Sequence, residues 1–115
     1  MKVEVNAIGF TLTYSLQHYT HKRLSFSLAP HAHQIKCVVV RLSDINGPRG
    51  GNDQHCQIQC VIPGFQDVVV EDTSNDLYIA INRAAARANR AVSKLIKKRQ
   101  AKSTRIREPK LLLGN

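Results

Sequence analysis

Between Asp76 and Glu108 the chain has no acidic side chain. A merely solvated helix surface usually interleaves acids with its bases for pairing, so this gap argues against that bland reading. Aromatic residues are scarce, at 5%, and few fall at outward strand positions, which disfavours a sheet that stacks single-stranded bases. Cysteine is limited to Cys37, Cys56 and Cys60; an odd count suits reduced thiols better than a disulfide framework. No apolar run approaches the length of a bilayer span. The amino terminus, Met1-Lys2-Val3-Glu4-Val5-Asn6, alternates apolar and polar residues instead of opening a signal peptide. There is no His-Glu-x-x-His, no nucleophile elbow and no glycine-rich nucleotide fingerprint, so hydrolytic chemistry has no motif to rest on. The expectation is a cytoplasmic, non-enzymatic protein with no cofactor, no membrane and no small-molecule substrate.

Against these absences stands one concentrated feature. From Asp76 to about Ala101 the residues favour a helix, in which Arg83, Arg87, Arg90, Lys94 and Lys97 recur every three or four residues and form one stripe. Leu77, Ile81, Ala84, Ala88, Val92 and Leu95 keep the same period. Ile81 and Arg83 are separated by about 200° at roughly 100° per residue, so the two stripes face nearly opposite ways. Residues 1–82 hold 6 basic and 7 acidic side chains, while residues 83–115 hold 11 basic and 1 acidic, which places the whole formal excess of +9 in the last part. A near-neutral body with one cationic arm suits a polyanion partner, and nucleic acid is the commonest.

Along the chain, Lys2 to Ile8 alternates as a strand and Gly9 breaks it. Thr11 or Thr13 can cap a helix with Leu12, Leu16, Tyr19 and Leu24 near one face, ending by Ser27 or Leu28 ahead of Pro30. Its exposed side carries Gln17, His18, His21, Lys22 and Arg23. Gln34 to Leu42 is apolar on both faces, as in a central strand. Residues 43–53 are dense with turn formers, and no GKS or GKT follows their glycines, which predicts a long hairpin loop carrying Arg49 at its tip.

Gln54 to Ile62 alternates, with Cys56, Ile58, Cys60 and Ile62 inward. Pro63-Gly64 is a turn, and Phe65 to Glu71 is the last strand. Thr73 or Ser74 is expected to cap the basic helix, with Asp72 and Asp76 complementing its dipole. Residues 102–115 are read as a basic tail beyond a domain spanning 1–101, with Pro109 stopping helix formation.

Cys56 and Cys60 on one strand would share a face at ~13 Å, too far for one zinc ion or a disulfide. His18, His21, His31, His33 and His55 show no familiar zinc spacing beside a CxxC pair. A thiol or metal protein is therefore kept only as an alternative. Asp67, Glu71, Asp72 and Asp76 are explained by capping and strand-edge solvation without acid–base chemistry.

The element order β-α-β-β-β-α is an α+β fold. A helical crossover makes the first two strands parallel, and the rest follow as antiparallel hairpins in a four-stranded sheet with two helices on one face. The basic side of the last helix then lies beside Lys22 and Arg23.

This order, the stretch Val-Val-Val-Glu-Asp-Thr-Ser-Asn-Asp-Leu-Tyr-Ile-Ala-Ile-Asn at 68–82 and the Arg/Lys helix after it resemble the family of ribosome hibernation-promoting factors and ribosome-associated inhibitor A, over residues 1 to about 100. Asp76-Leu77-Tyr78-Ile79-Ala80-Ile81-Asn82 is similar to the family's D-x-Y-x-A-I-D helix start, with Asn82 replacing the last Asp. Asn46-Gly47-Pro48-Arg49-Gly50-Gly51 resembles the loop of a short subgroup. The resemblance implies a fold similar to double-stranded-RNA-binding domains. It also implies binding to the small ribosomal subunit and its rRNA, in the channel used by mRNA and tRNA, by a protein that is a monomer off the ribosome.

By position, the rRNA-binding residues it implies are Lys22, Arg23, Arg83, Arg87, Arg90, Lys94, Lys97 and Lys98. The first helix departs from the family: Ser25-Phe26-Ser27-Leu28-Ala29-Pro30 stands where a K-L-x-K-like segment is usual. Without the extra carboxy-terminal domain of long members, the chain resembles a short member that blocks decoding without bridging two ribosomes. A general binder of double-stranded RNA or DNA, lacking ribosome specificity, is the alternative.

Overall fold

The computed structural model describes residues 1–44 and 54–113, with side chains as far as Lys98. The loop carrying Arg49 lies outside the described residues. The sequence reading of Pro109 as a helix stop is overturned: the helix that begins at Leu77 runs on through it to Leu113, because a backbone already turning as a helix can carry the ring at the cost of a hydrogen bond. The elements are β1 (Lys2–Ile8), α1 (Tyr14–Ser27), a 3-10 helix (Ala29–Gln34), β2 (Cys37–Asp44), β3 (Gln54–Val61), β4 (Val68–Ser74) and α2 (Leu77–Leu113). They form one sheet in the order β1-β2-β3-β4. β1 and β2 are parallel, and the other pairs are antiparallel. This is the α+β arrangement the element order implies.

α1 begins where Thr13 stops being helical: its Oγ1 accepts from the Leu16 amide at 3.2 Å. Leu28 closes it by donating to the Leu24 carbonyl. Pro30 then starts the 3-10 helix, because its fixed φ suits a first helical turn. That turn consumes Gln34, so β2 starts at Cys37 and not at Gln34 as alternation predicts. Ile35 is buried all the same.

The far end of the sheet differs in the same way. Gly64, at φ +86°, lets the Phe65 amide return to the Ile62 carbonyl at 3.0 Å, which delays β4 to Val68. β4 then continues to Ser74, paired with Gln54. Thr73 and Ser74 are therefore strand residues, and the cap of α2 is Asp76, whose Oδ1 accepts from the Tyr78 amide at 2.9 Å. The first helical bond follows, from the Ala80 amide to the Asp76 carbonyl.

Both helices cover one face of the sheet. Val38, Val40 and Leu42 of β2 and Cys56, Ile58 and Cys60 of β3 are buried under Leu16 and Leu24 of α1 and Ile81, Ala84, Ala88, Val92 and Ile96 of α2. Each large aliphatic side chain taken out of water this way contributes about 1.5–3 kcal/mol. Thr20, the one fully buried hydroxyl of α1, donates to the Leu16 carbonyl at 2.8 Å and so carries no unsatisfied group. The other sheet face is open, and its register lines up Asn6, Arg41, Gln57 and Glu71 across the four strands. Among the described residues no helix is long and apolar enough to cross a membrane.

Candidate nucleic-acid interface

The amide and carboxylate contacts that start α2 fix its rotation, and that rotation decides where the cations point. With Ile81, Ala84, Ala88 and Val92 against the sheet, Arg83, Arg87, Arg90, Lys94, Lys97 and Lys98 are all exposed on the opposite side. Lys22 and Arg23 are likewise exposed on α1.

Four contacts hold α1, and the turn after it, beside α2. Tyr19 Oη donates to Asn82 Oδ1 at 2.6 Å, and the Tyr19 ring meets Tyr78 edge-on at 4.8 Å between centroids. Ser27 Oγ donates to the Ala85 carbonyl at 3.0 Å. His31 Nε2 and Ser93 Oγ are hydrogen-bonded at 2.8 Å. Beyond Tyr78 the α2 positions along this seam, Asn82, Ala85 and Ser93, are small or polar, so the helices meet at its base and leave a groove above it.

Three hollows that share lining residues run from the exposed face of α1, across that groove, onto the exposed face of α2. The first, about 330 Å³, is lined by Tyr19, Lys22, Arg23 and Phe26. The second, about 350 Å³, runs from Arg23 and Phe26 to Ala86 and Asn89. The third, about 580 Å³, is lined by Asn89, Arg90, Ser93, Lys94, Lys97 and Lys98. Lys22 and Arg23 are thereby joined to four of the α2 cations along one path, and among the described residues no carboxylate lines any of the three hollows. Such a path can seat the phosphates of a nucleic-acid backbone, with lysines as point charges and arginines as planar forks.

Arg83 continues the stripe toward the start of α2. Arg87 is set apart: its Nε donates to Asp72 Oδ2 at 3.0 Å, leaning toward β4 and away from α1. Asp72, expected to complement the helix dipole, is instead a β4 residue that also accepts from the Thr73 amide.

Phe26, Asn89 and Ser93 belong to the groove but were not singled out from the sequence. For Phe26 a signal existed. It lies three and four residues after Arg23 and Lys22 on α1, an aromatic placed on an otherwise polar face. Asn89 and Ser93 carry no such mark, since only the packing of α1 against α2 brings them to the seam.

The three thiols are free. Burial, reinforced by Asp72, pushes Cys56 up to about 12, and burial, with Cys37 nearby, pushes Cys60 up to about 11. Both are thus held as neutral thiols, poor nucleophiles and poor metal ligands. Among the described residues no group of three His, Cys, Asp or Glu side chains is placed to hold a metal ion.

The family model described as Sigma 54 modulation protein / S30EA ribosomal protein matches residues 3–100. None of the curated proteins matches the chain. Among solved structures, the chain is similar to the Protein Y N-terminal domain of Thermus thermophilus. The identity is 26% and the TM-score 0.67, with 82% of this chain and 98% of that one covered. A ribosomal subunit interface protein from Coxiella burnetii shares the fold at TM-score 0.69 and 17% identity, with 87% of this chain and 99% of that one covered.

Proposed function

The chain belongs to the Sigma 54 modulation protein / S30EA ribosomal protein family, and from that premise we propose that it is a cytosolic, non-enzymatic factor that binds the small ribosomal subunit. Its site would be the rRNA beside the mRNA and tRNA channel, where it inhibits translation or preserves idle ribosomes. The observation that carries this reading is the path joining Lys22 and Arg23 of α1 to Arg90, Lys94, Lys97 and Lys98 of α2, lined by no carboxylate among the described residues. A similar name, subunit interface protein, attaches to the Coxiella burnetii relative.

The mechanism is occlusion. Cations on α2 replace counterions on rRNA phosphates, and the bulk of the domain fills space that mRNA and tRNA need. Phosphate contacts supply most of the affinity, and the shape of the RNA pocket supplies the choice of site. No bond is made or broken in this scheme.

Co-sedimentation with separated ribosomal subunits across a salt series tests it. Stoichiometric binding to the small subunit is expected, weakening steeply as salt rises, because each Lys or Arg on a phosphate adds close to one unit to the log–log slope. The combined Arg87→Glu, Arg90→Glu, Lys94→Glu variant should lose binding at moderate salt, and equal binding by that variant would end the reading. Competition with a large excess of duplex RNA separates a ribosome factor, which keeps its preference, from a general duplex binder, which does not.

A further inference from the structure

The path is not uniformly cationic. At its α1 end stands Phe26, which is 76% exposed and shared by two adjoining hollows. A large apolar side chain left in water on a polar helix face contributes nothing to the core. Its ring has Lys22 and Arg23 on the preceding turn of α1, in the same hollow.

Two turns earlier on the same helix, Tyr19 lines the other end of the hollow and is held fast. Its hydroxyl is bonded to Asn82 and its ring is wedged against Tyr78. The hollow is therefore a fixed aromatic wall, a free aromatic ring and two cations, with a volume of about 330 Å³ and a lining made mostly of carbon. That volume lies within the range of small-ligand sites.

A phosphate-only surface has no use for a ring in this position. In a polyanion, the component with a flat apolar face is the nucleobase, and it offers that face only when unpaired or bulged. Resting on the reading of this groove as an rRNA interface, we propose that the hollow of Tyr19, Lys22, Arg23 and Phe26 takes one unpaired nucleotide. The base stacks on the Phe26 ring, and the phosphates flanking it lie on Lys22 and Arg23. α1 thus places a base-stacking ring beside its two cations, so the helix reads a distortion in the RNA as well as its charge.

The chain has no tryptophan, so Phe26→Trp places a single indole reporter in the hollow. The probes are an RNA hairpin with one bulged nucleotide, the same hairpin fully paired, and isolated small ribosomal subunits. At saturation the bulged hairpin should quench the indole strongly and the paired hairpin should not. Phe26→Ala should weaken binding to the bulged hairpin and to small subunits by about fivefold or more, since stacking on an aromatic is worth that much or more per base. Its salt slope should be unchanged. Lys22→Gln should instead lower the slope by close to one unit, and Phe26→Tyr should bind as the parent does.

The high exposure of Phe26 means that its truncation leaves the core intact. Equal quenching by both hairpins would overturn the proposal, as would a Phe26→Ala protein that binds the bulged hairpin as tightly as the parent. Loss of subunit binding without loss of hairpin binding would also overturn it, and would point to a ribosomal-protein side chain on the ring. The ribosome reading fails separately: a parent that ignores small subunits but keeps a Phe26-dependent preference for the bulge retains the hollow and loses the ribosome.

Discussion

Arg87 differs from the cations around it because it already has a partner. Asp72, whose side chain is only 11% exposed, accepts from its Nε while also accepting from the Thr73 amide. The carboxylate holds Arg87 toward β4 and cancels part of the field that the stripe presents. Asp72→Asn keeps an acceptor for Thr73 and removes the charge. An ion pair whose arginine is half exposed is worth about 0.2–1 kcal/mol, so a stability loss of that size is expected in urea denaturation. Affinity for small subunits at low salt should rise severalfold, because Arg87 is released to the phosphates and one repelling carboxylate is gone. Unchanged or weaker binding would mean that Arg87 serves the fold and not the interface. The sequence shows Arg87 as one more member of a periodic stripe. Its pairing depends on where β4 ends, which is a matter of register and invisible in local spacing. Phe26 is the converse case: its place on a polar face is legible, and the hollow it shares with the fixed Tyr19 appears only in the fold.

At the level of elements, α2 shows why its inner side is built from alanine. Ala84, Ala85 and Ala88 are all buried, and their short side chains let the helix lie close over β3 and β4. Ala88→Leu forces extra methylenes into a filled layer, and overpacking of this kind costs about 1–3 kcal/mol. A lower urea midpoint with an unchanged m-value is the expected result. Binding should fall only as far as Asn82 and Ser93 of α2 are lifted from Tyr19 and His31, their partners across the seam.

The strands were legible because alternation is a strong local signal: Cys56, Ile58, Cys60 and Ile62 are inward as the pattern demands. Element ends were less legible. Thr73, Ser74 and Asp76 all have the chemistry of a helix cap, and the choice falls to Asp76 because β3 pairs with β4 out to Ser74, a contact between residues far apart in the chain. Pro30 likewise was correctly a helix stop, yet it also starts a 3-10 turn that shortens β2.

For the whole molecule, the separation of charge means that salt acts on folding and on binding in opposite directions. Along the outer side of α2, Arg83 and Arg87, Arg87 and Arg90, Arg90 and Lys94, and Lys94 and Lys98 are like charges three or four residues apart, with no acid interleaved. Each such pair destabilises a helix by about 0.2–0.5 kcal/mol at low ionic strength, so the stripe as a whole costs about 1–2 kcal/mol. Sodium chloride screens exposed charges beyond a Debye length of about 10 Å at 0.1 M and about 3 Å at 1 M, and it relieves this repulsion progressively. The Arg87–Asp72 attraction is screened too, but it is one half-exposed pair against several repulsions. The free protein should therefore melt at a higher temperature as sodium chloride rises from low to moderate concentration, while its affinity for small subunits falls over the same range through loss of counterion release. Replacing Arg83 and Lys94 with glutamine should flatten both dependences together, raising Tm at low salt and lowering the slope of binding by about two units at most. Thermal denaturation and co-sedimentation on the same salt series read the two effects. A Tm that falls with salt in the parent would show that attraction, not repulsion, dominates the face of α2, and would remove the reason for expecting it to seek a polyanion.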